Sequence, residues 1–321
     1  AEGADCLMAI YLGFDTSNYK TSAALFDSQT GKAWGESRFL QVPEGSLGLR
    51  QSEALFQHVR SLGQITESLF EKTGRLPLAA VGYSARPRNQ EGSYMPCFLA
   101  GEMAARTAAA AGGMPAFAFS HQQGHIASAL WSANCLHWMK GPFLSWHLSG
   151  GTTELLRVES RPGELLEVQV IGGTQDASAG QIIDRAGVAM GLPFPCGAHL
   201  DKLAGEEKPA EKPFAAKMQG LFFSLSGLEN KFKALLDKGC PKEQAAAFVT
   251  QSIAETVYRV TKKAQKEEGL PVLFSGGVSA SSQLQKRFEG KDQVAFAQNG
   301  WGGDNALGAA LLAAMWKEGV L

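Results

Sequence analysis

The chain has 321 residues, with 30 Lys+Arg against 31 Asp+Glu, a net charge of −1, and 45% apolar residues. That length allows roughly two domains, each large enough to bury its own core. Near-neutral charge excludes a protein that coats nucleic acid by charge alone, but not one that docks RNA through a local patch.

Thirty-seven glycines is well above the usual ~7%. They fall in discrete clusters, which points to many tight turns that a ligand can approach. The five cysteines, Cys6, Cys97, Cys135, Cys196 and Cys240, form no C-x-x-C pair and leave an odd total. A disulfide framework or cysteine-rich zinc module is not expected, and a reducing cytoplasm is. Residues 107–139 carry no formal charge, yet Pro115, three histidines, two glutamines and Gly124 interrupt them. They are too polar to span a bilayer. Residues 1–5 show no basic segment or apolar core of a signal peptide, so the expectation is a cytoplasmic protein without a membrane partner.

Residues 7–14 form an apolar run, residues 15–18 a polar turn, and residues 21–26 a second apolar run. That is the grammar of a hairpin. Residues 51–72 carry helical apolar spacing at Leu55, Val59, Leu62, Ile65 and Leu69. A strand over 76–83, an alanine-rich helix over 98–111 and a short strand over 115–119 follow. The hairpin grammar returns at 143–148 and 154–158 around Ser149-Gly150-Gly151-Thr152-Thr153. Two such hairpins about 130 residues apart predict a duplicated architecture. Residues 204–213 read as an exposed loop and 241–269 as a long helix. Residues 272–274 read as a buried strand ending at Ser275-Gly276-Gly277. A last apolar helix, 305–316, offers Leu311, Leu312, Met315 and Trp316 for internal packing. Strands alternating with helices give the α/β class.

Three constellations carry chemistry. His121 and His125 stand four apart in His121-Gln122-Gln123-Gly124-His125, so on a helix they share one face and can meet one metal. The commoner role of such a pair is two helix-start histidines bonded to backbone. Gln122 stands where a zinc protease needs a glutamate base, so proteolysis is disfavoured. Asp304, in a glycine-rich segment before a helix, is either a helix cap or a third ligand. Ser149-Gly150-Gly151 and Ser275-Gly276-Gly277 each follow an apolar run and can offer backbone N–H groups to phosphate. Neither a P-loop nor a G-x-G-x-x-G segment occurs. Asp184, followed by the turn 191–197, supplies a carboxylate that can grip ribose, though such a residue is more often merely solvated.

Taken in order, His121-x-x-Gly-His125, Ser149-Gly150-Gly151, the 184–197 segment, Phe223-Ser224-Leu225-Ser226-Gly227-Leu228, Ser275 to Ala280 and Asp304-Asn305 resemble the TsaD family. These are the tRNA threonylcarbamoyladenosine transferases, formerly labelled O-sialoglycoprotein endopeptidases. The resemblance spans nearly the whole chain. It implies an α/β fold of the actin/Hsp70/sugar-kinase type, with two ribonuclease-H-like halves and nucleotide in the cleft. The domains expected are residues 1–118 with 305–321, and residues 119–304.

The resemblance further implies an iron or zinc held by His121, His125 and Asp304. His147, Leu148, Ser149, Gly150 and Gly151, with Gly276 and Gly277, would line the phosphate or threonylcarbamoyl part of ATP or an adenylate. Asp184, Gly197 and Asp201 would face ribose, and Ser281 the base. Polarised by the metal, the threonylcarbamoyl group would pass from the adenylate to an adenosine of tRNA. Helper proteins similar to TsaB and TsaE would be partners.

The chain also departs from the family pattern. Asn18, Tyr19 and Lys20 replace an acidic pair, Thr152 replaces a histidine, and Ser281 replaces an asparagine. Ala85-Arg86-Pro87-Arg88-Asn89 stands where the family has a glycine-rich loop. A paralogue with an altered substrate is therefore a second reading. It would be a nucleotide-binding partner subunit, or a carbamoyl- or phosphoryl-transferring enzyme of the same superfamily. Lys231, Lys233, Lys238 and Lys242 are either a basic flank for RNA or a solvated helix face.

Overall fold

The structure, a computed structural model, describes residues 9–17, 19–42, 49–161, 164–298, 300 and 305–319. In chain order the elements begin with β1 (Ile10–Ser17), β2 (Lys20–Asp27), β3 (Ala33–Phe39) and α1 (Gln51–Thr73). Then come β4 (Leu78–Arg86), α2 (Leu99–Gly112), β5 (Ala116–Ser120) and α3 (His121–Ser132). A second series holds β6 (Phe143–Leu148), β7 (Thr153–Arg161), β8 (Glu164–Thr174), α4 (Ala179–Ala189) and α5 (Gly197–Ala204). It continues through β9 (Met218–Gln219), β10 (Phe222–Phe223), α6 (Ser226–Asp237) and α7 (Lys242–Glu268). The chain ends with β11 (Val272–Ser275), α8 (Ser282–Phe288), β12 (Val294–Phe296) and α9 (Asn305–Glu318).

Two compact units divide these elements: Ala1–Trp131 with Ser160–Glu167 and Gly303–Leu321, and Ser132–Glu159 with Val168–Gly302. The first has a sheet of order β3-β2-β1-β4-β5. In it β1 runs antiparallel to β2 and parallel to β4, and β5 parallel to β4. The second has the order β12-β11-β6-β7-β8-β10-β9, with β6 antiparallel to β7 and parallel to β11, and β11 parallel to β12. Relabelled from β6, its first five strands repeat the first sheet's order. The duplication read from the two hairpins is a duplication of topology.

In the first unit every described β1 residue but Ser17 is buried, so the strand is covered on both faces. Its even-numbered side chains, Ile10, Leu12 and Phe14, join Leu62, Ile65 and Leu69 of α1 and Ala105 and Ala109 of α2. The odd-numbered positions, Tyr11, Gly13 and Asp15, face the other way. There the Tyr11 hydroxyl donates to Glu318 at the end of α9 (2.9 Å). A Cβ on Gly13 would overlap the carbonyl oxygen of Ala306, and one on Gly82 of β4 that of Ala309. Glycine at these two positions lets α9 lie directly on the sheet backbone.

The same device joins two helices. A Cβ on Gly308 would overlap the carbonyl oxygen of Gly124, and one on Gly124 would stand 3.2 Å from that of Asn305. This close approach places α3 in the first unit, with both histidines, rather than at the start of the second as the expected 118/119 boundary had it. The Gln123 amide adds to it by donating to the carbonyl of Leu166 (2.9 Å), which draws residues 160–167 into the same unit. The last helix packs internally along Asn305 to Ala314, including Leu311 and Leu312.

The second unit is built around α7. Its Phe248, Val249, Ile253, Val257 and Val260 pack with Trp146, Phe223 and Phe274. The Trp146 indole N–H is satisfied by Thr261 Oγ1 at 2.8 Å. Five strands escaped the sequence reading. β3, AWGESRF, is a half-exposed mix without apolar alternation. β9 and β10 are two residues long and β12 three, while β8 stands beyond Pro162-Gly163, a turn signal in the sequence.

Two outcomes test this packing. Gly308→Ala forces α9 off α3 and lowers stability by about 3 kcal/mol in urea denaturation. Gly63→Ala on α1, with open space at its Cβ position, instead gains up to about 1 kcal/mol from helix propensity. A second prediction concerns His58 of α1, fully buried with Nδ1 at 2.7 Å from Thr21 Oγ1. Burial pushes its pKa down to about 4, against the raising effect of the Asp15 charge and a Ser17 backbone contact. The unfolded chain takes up this proton first, near pH 6.5, so stability falls as pH drops from about 6.5 towards 4. Between pH 7 and 5 the loss is about 2 kcal/mol. Denaturation of the His58→Asn variant over the same range lacks that component.

Candidate functional site

The first unit carries the histidine pair at the start of α3, straight after β5. A capping box sets this start. Ser120 Oγ accepts from Gln123 N (3.2 Å), and Gln123 Oε1 accepts from Ser120 N (2.8 Å). Ser120-His121-Gln122-Gln123 is thus a helix signal as well as part of the H-x-x-x-H motif. The rings of His121 and His125 meet edge to face, 4.4 Å between centroids.

Asp15, on the odd face of β1, is 1% exposed and places Oδ2 at 2.8 Å from His121 Nδ1. Burial alone would raise its carboxyl. The His121 imidazole beside it and the Ser17 N–H at 3.0 Å outweigh that and hold it well below the usual carboxylate range. A carboxylate accepts only, so His121 Nδ1 carries the proton of this contact. Asn305, the first residue of α9, then explains itself. Its Nδ2 lies 2.9 Å from His121 Nδ1, 3.2 Å from His121 Nε2 and 3.3 Å from His125 Nε2. Its Oδ1 is buried without a partner. The Asn305 amide therefore packs against both imidazoles.

Asp304 falls outside the described residues. Among the described residues no three His, Cys, Asp or Glu side chains gather into a metal cage. Asp15 and Asn305 are the residues that sequence reasoning did not single out here. The sequence reading put Asp15 in the polar turn after residues 7–14, whereas β1 continues to Ser17 and carries Asp15 on the face of Gly13.

The second unit holds a cavity of about 530 Å³. Gly150, Asp184, Gly197, Asp201, Gly277 and Ser281 all line it, six of the residues singled out from the sequence. His147, Leu148, Ser149, Gly151 and Gly276 do not line it. His147 and Leu148 end β6. Ser149 closes a tight turn, its N donating to Thr152 O (2.8 Å) and its Oγ accepting from Thr152 N (3.1 Å). Gly276, at φ 91°, sits where a Cβ would overlap Leu148 O. The start of α4 holds the Gly150 turn, with Ser178 Oγ donating to Gly150 O at 2.7 Å.

Two of the carboxylates have structural work. Asp184 Oδ1 accepts from Cys196 N (2.8 Å) and so fixes the turn before α5. Asp201 accepts from Ser281 Oγ (2.7 Å) and, through both oxygens, from Ser282 N (3.1 and 3.0 Å), which holds the start of α8. Asp176 plays a similar part. Although burial raises its carboxyl, hydrogen bonds from Ser224, Leu225 and Ser226 at the start of α6 hold it well below its usual range.

Among the departures, Asn18 lies outside the described residues, and Tyr19 is exposed. Arg86 Nη2 donates to Asn89 Oδ1 (2.6 Å). Pro87 O accepts from Gln122 N (3.1 Å), which ties this loop to the start of α3. Lys233 pairs with Glu229, and Lys242 donates to Met190 O. No helix among the described residues is long and apolar enough to cross a membrane.

The profile of the TsaD family, described as tRNA N6-adenosine threonylcarbamoyltransferase, matches residues 44–306. A curated protein of that name from Thermus thermophilus is 31% identical over 96% of this chain and 92% of its own length. Among solved structures, full-length HypF in its phosphate- and nucleotide-bound form aligns with TM-score 0.62 at 14% identity. That match covers 97% of this chain but 47% of HypF. Component A of the (R)-2-hydroxyglutaryl-CoA dehydratase of Acidaminococcus fermentans aligns with TM-score 0.53 at 15% identity, over 98% of this chain and 100% of that one. These likenesses establish the fold alone, the duplicated α/β architecture of the actin/Hsp70/sugar-kinase type. With its family profile over residues 44–306 and a 31% identical relative along nearly its whole length, the chain belongs to the TsaD family, whose named members are acyltransferases and not proteases.

Proposed function

We propose that this chain transfers a threonylcarbamoyl group from threonylcarbamoyl-adenylate to the N6 amine of an adenosine in tRNA, in the cytoplasm, with helper proteins similar to TsaB and TsaE. The observation that carries the proposal is the pairing of His121 and His125, 4.4 Å between ring centroids, with buried Asp15 on His121 Nδ1 and the Asn305 amide against both rings. A divalent iron or zinc suits two neutral imidazoles and a carboxylate. His121 and His125 would hold it, with Asp304 as the acidic ligand.

When bound, the metal supplies Lewis acidity to the carbonyl under attack. The chain's own residues do the rest. Asp15 keeps the Nδ1 proton on His121 and so keeps Nε2 free to ligate. In the cavity of the second unit, the Gly150 and Gly277 turns offer backbone to phosphate oxygens, and the second oxygen of Asp184 offers an acceptor to ribose hydroxyls. The amine of adenosine forms the new bond to the carbamoyl carbon and loses a proton, while the bond to the adenylate phosphate breaks and AMP leaves.

A second reading is a partner subunit, or a carbamoyl- or phosphoryl-transferring enzyme with another acceptor. One observation favours it: the arginine-bearing loop of residues 86–89 is tied to the start of α3, Gln122 N donating to Pro87 O.

Mass spectrometry of tRNA nucleosides from cells lacking this gene decides between them. Loss of threonylcarbamoyladenosine supports transfer to tRNA, and its persistence moves the chain to the second reading. For the metal, Asp15→Asn is expected to lower zinc or iron affinity about 10- to 100-fold in competition with a chelator. A melting curve on the same sample verifies the fold. Unchanged affinity would remove Asp15 from the site.

A further inference from the structure

We infer that the first unit holds a second ligand site, which takes a small aromatic anion with its carboxylate or phosphate on Arg86. The site is a cavity of about 370 Å³ beside β5, the last strand of its sheet. His121, His125 and Asn305 do not line it. Ligand sites run from about 300 to 1,000 Å³ and combine an apolar wall with a few polar groups that fix orientation. This cavity is of that kind and stands at the small end of the range, so it suits a single ring system bearing one charged head.

Arg86, at the end of β4, supplies the polar end. β4 shifts register between Ser84 and Arg86, which pair with Phe119 and Ser120 of β5, so Ala85 is one residue extra. Such a bulge re-aims the side chains of the strand that carries it. Arg86 Nη2 donates to Asn89 Oδ1 at 2.6 Å, and Asn89 lines the same cavity. That bond fixes the guanidinium and uses one of its five N–H donors. Arg86 is partly buried, yet among the described residues no carboxylate pairs with it. A planar guanidinium held in this way can take an oxyanion through two parallel hydrogen bonds.

The rest of the wall is largely apolar and aromatic. Phe117 of β5 and Trp316 of α9 both line the cavity, their ring centroids 6.3 Å apart and tilted by 51°. Phe119 and Leu165, both buried, line it as well. The other apolar residues of α9 are buried from Ala306 to Ala314, whereas Trp316 is 40% exposed. An indole left open beside a second ring is a plate on which a flat ligand can lie. Arg86 comes from the segment 85–89, where the chain departs from the family's glycine-rich loop. The charge that makes this site is thus a feature of this chain's own loop.

Calorimetric titration of the full chain with phenylacetate, phenyl phosphate and benzyl alcohol tests this. At least one of the two anions is expected to bind with a Kd of about 1 mM or below, and the tighter of them identifies the head group. Benzyl alcohol, which keeps the ring without the charge, is expected to bind at least about tenfold more weakly. If neither anion binds, or if benzyl alcohol binds as well as they do, the inference is overturned. Arg86→Gln, which keeps an amide for Asn89 but loses the charge, is expected to weaken the anion about tenfold or more. Trp316→Leu, on an exposed side chain, is expected to weaken it several-fold even where Arg86→Gln fails to fold. Melting curves verify both variants. Unchanged affinity in either folded variant places the anion elsewhere and overturns the inference. Neither residue belongs to the histidine pair or to the cavity of the second unit, so these outcomes leave the proposed transfer untouched.

Discussion

The approach of α9 onto bare backbone governs the first unit. Gly13 and Gly82 remove side chains from neighbouring strands where the helix crosses them, and Gly308 with Gly124 removes them between α9 and α3. Any Cβ at these points would meet a carbonyl oxygen, an atom that cannot turn aside as a flexible side chain can. Because the helix sits this close, its first residue, Asn305, reaches both imidazoles of α3. Moved outward by the thickness of a methyl group, α9 would take the Asn305 amide out of reach of both rings.

Asp15 shows how burial and function are reconciled. A carboxylate taken out of water is costly unless it is paired and hydrogen-bonded. Here His121 and the Ser17 N–H supply those partners. The pairing has a chemical consequence beyond stability, since it settles which nitrogen of His121 holds the proton. The charge reaches further, opposing the desolvation of His58 in the layer beneath, though burial dominates there.

The second unit uses its carboxylates differently. Asp176, Asp184 and Asp201 each accept backbone N–H groups at or just before the start of a helix, α6, α5 and α8 in turn. Such contacts satisfy donors that would otherwise lack partners and place negative charge where the helix dipole favours it. Asp184 accepts through one oxygen, whereas Asp201 uses both, one of them also taking the Ser281 hydroxyl. Identical residue types on one wall therefore have unequal capacity to bind.

Periodicity and turn chemistry by themselves determined the hairpins at β1–β2 and β6–β7, the long helices α1 and α7, the duplicated topology, and the shared face of His121 and His125. All of these are local, set by spacings of two or four residues along the chain. The motif resemblance likewise anticipated six residues around one cavity, because a family's ordered glycines and acids mark the same turns wherever they occur. Only the tertiary structure decided that α3 belongs to the first unit, that Asp15 and Asn305 complete the histidine pair, and that Asp201 and Ser281 satisfy each other. Those facts depend on contacts between residues 80 to 184 positions apart. No local pattern encodes them, since the partner of a buried polar group is chosen by which backbones can come close enough to meet.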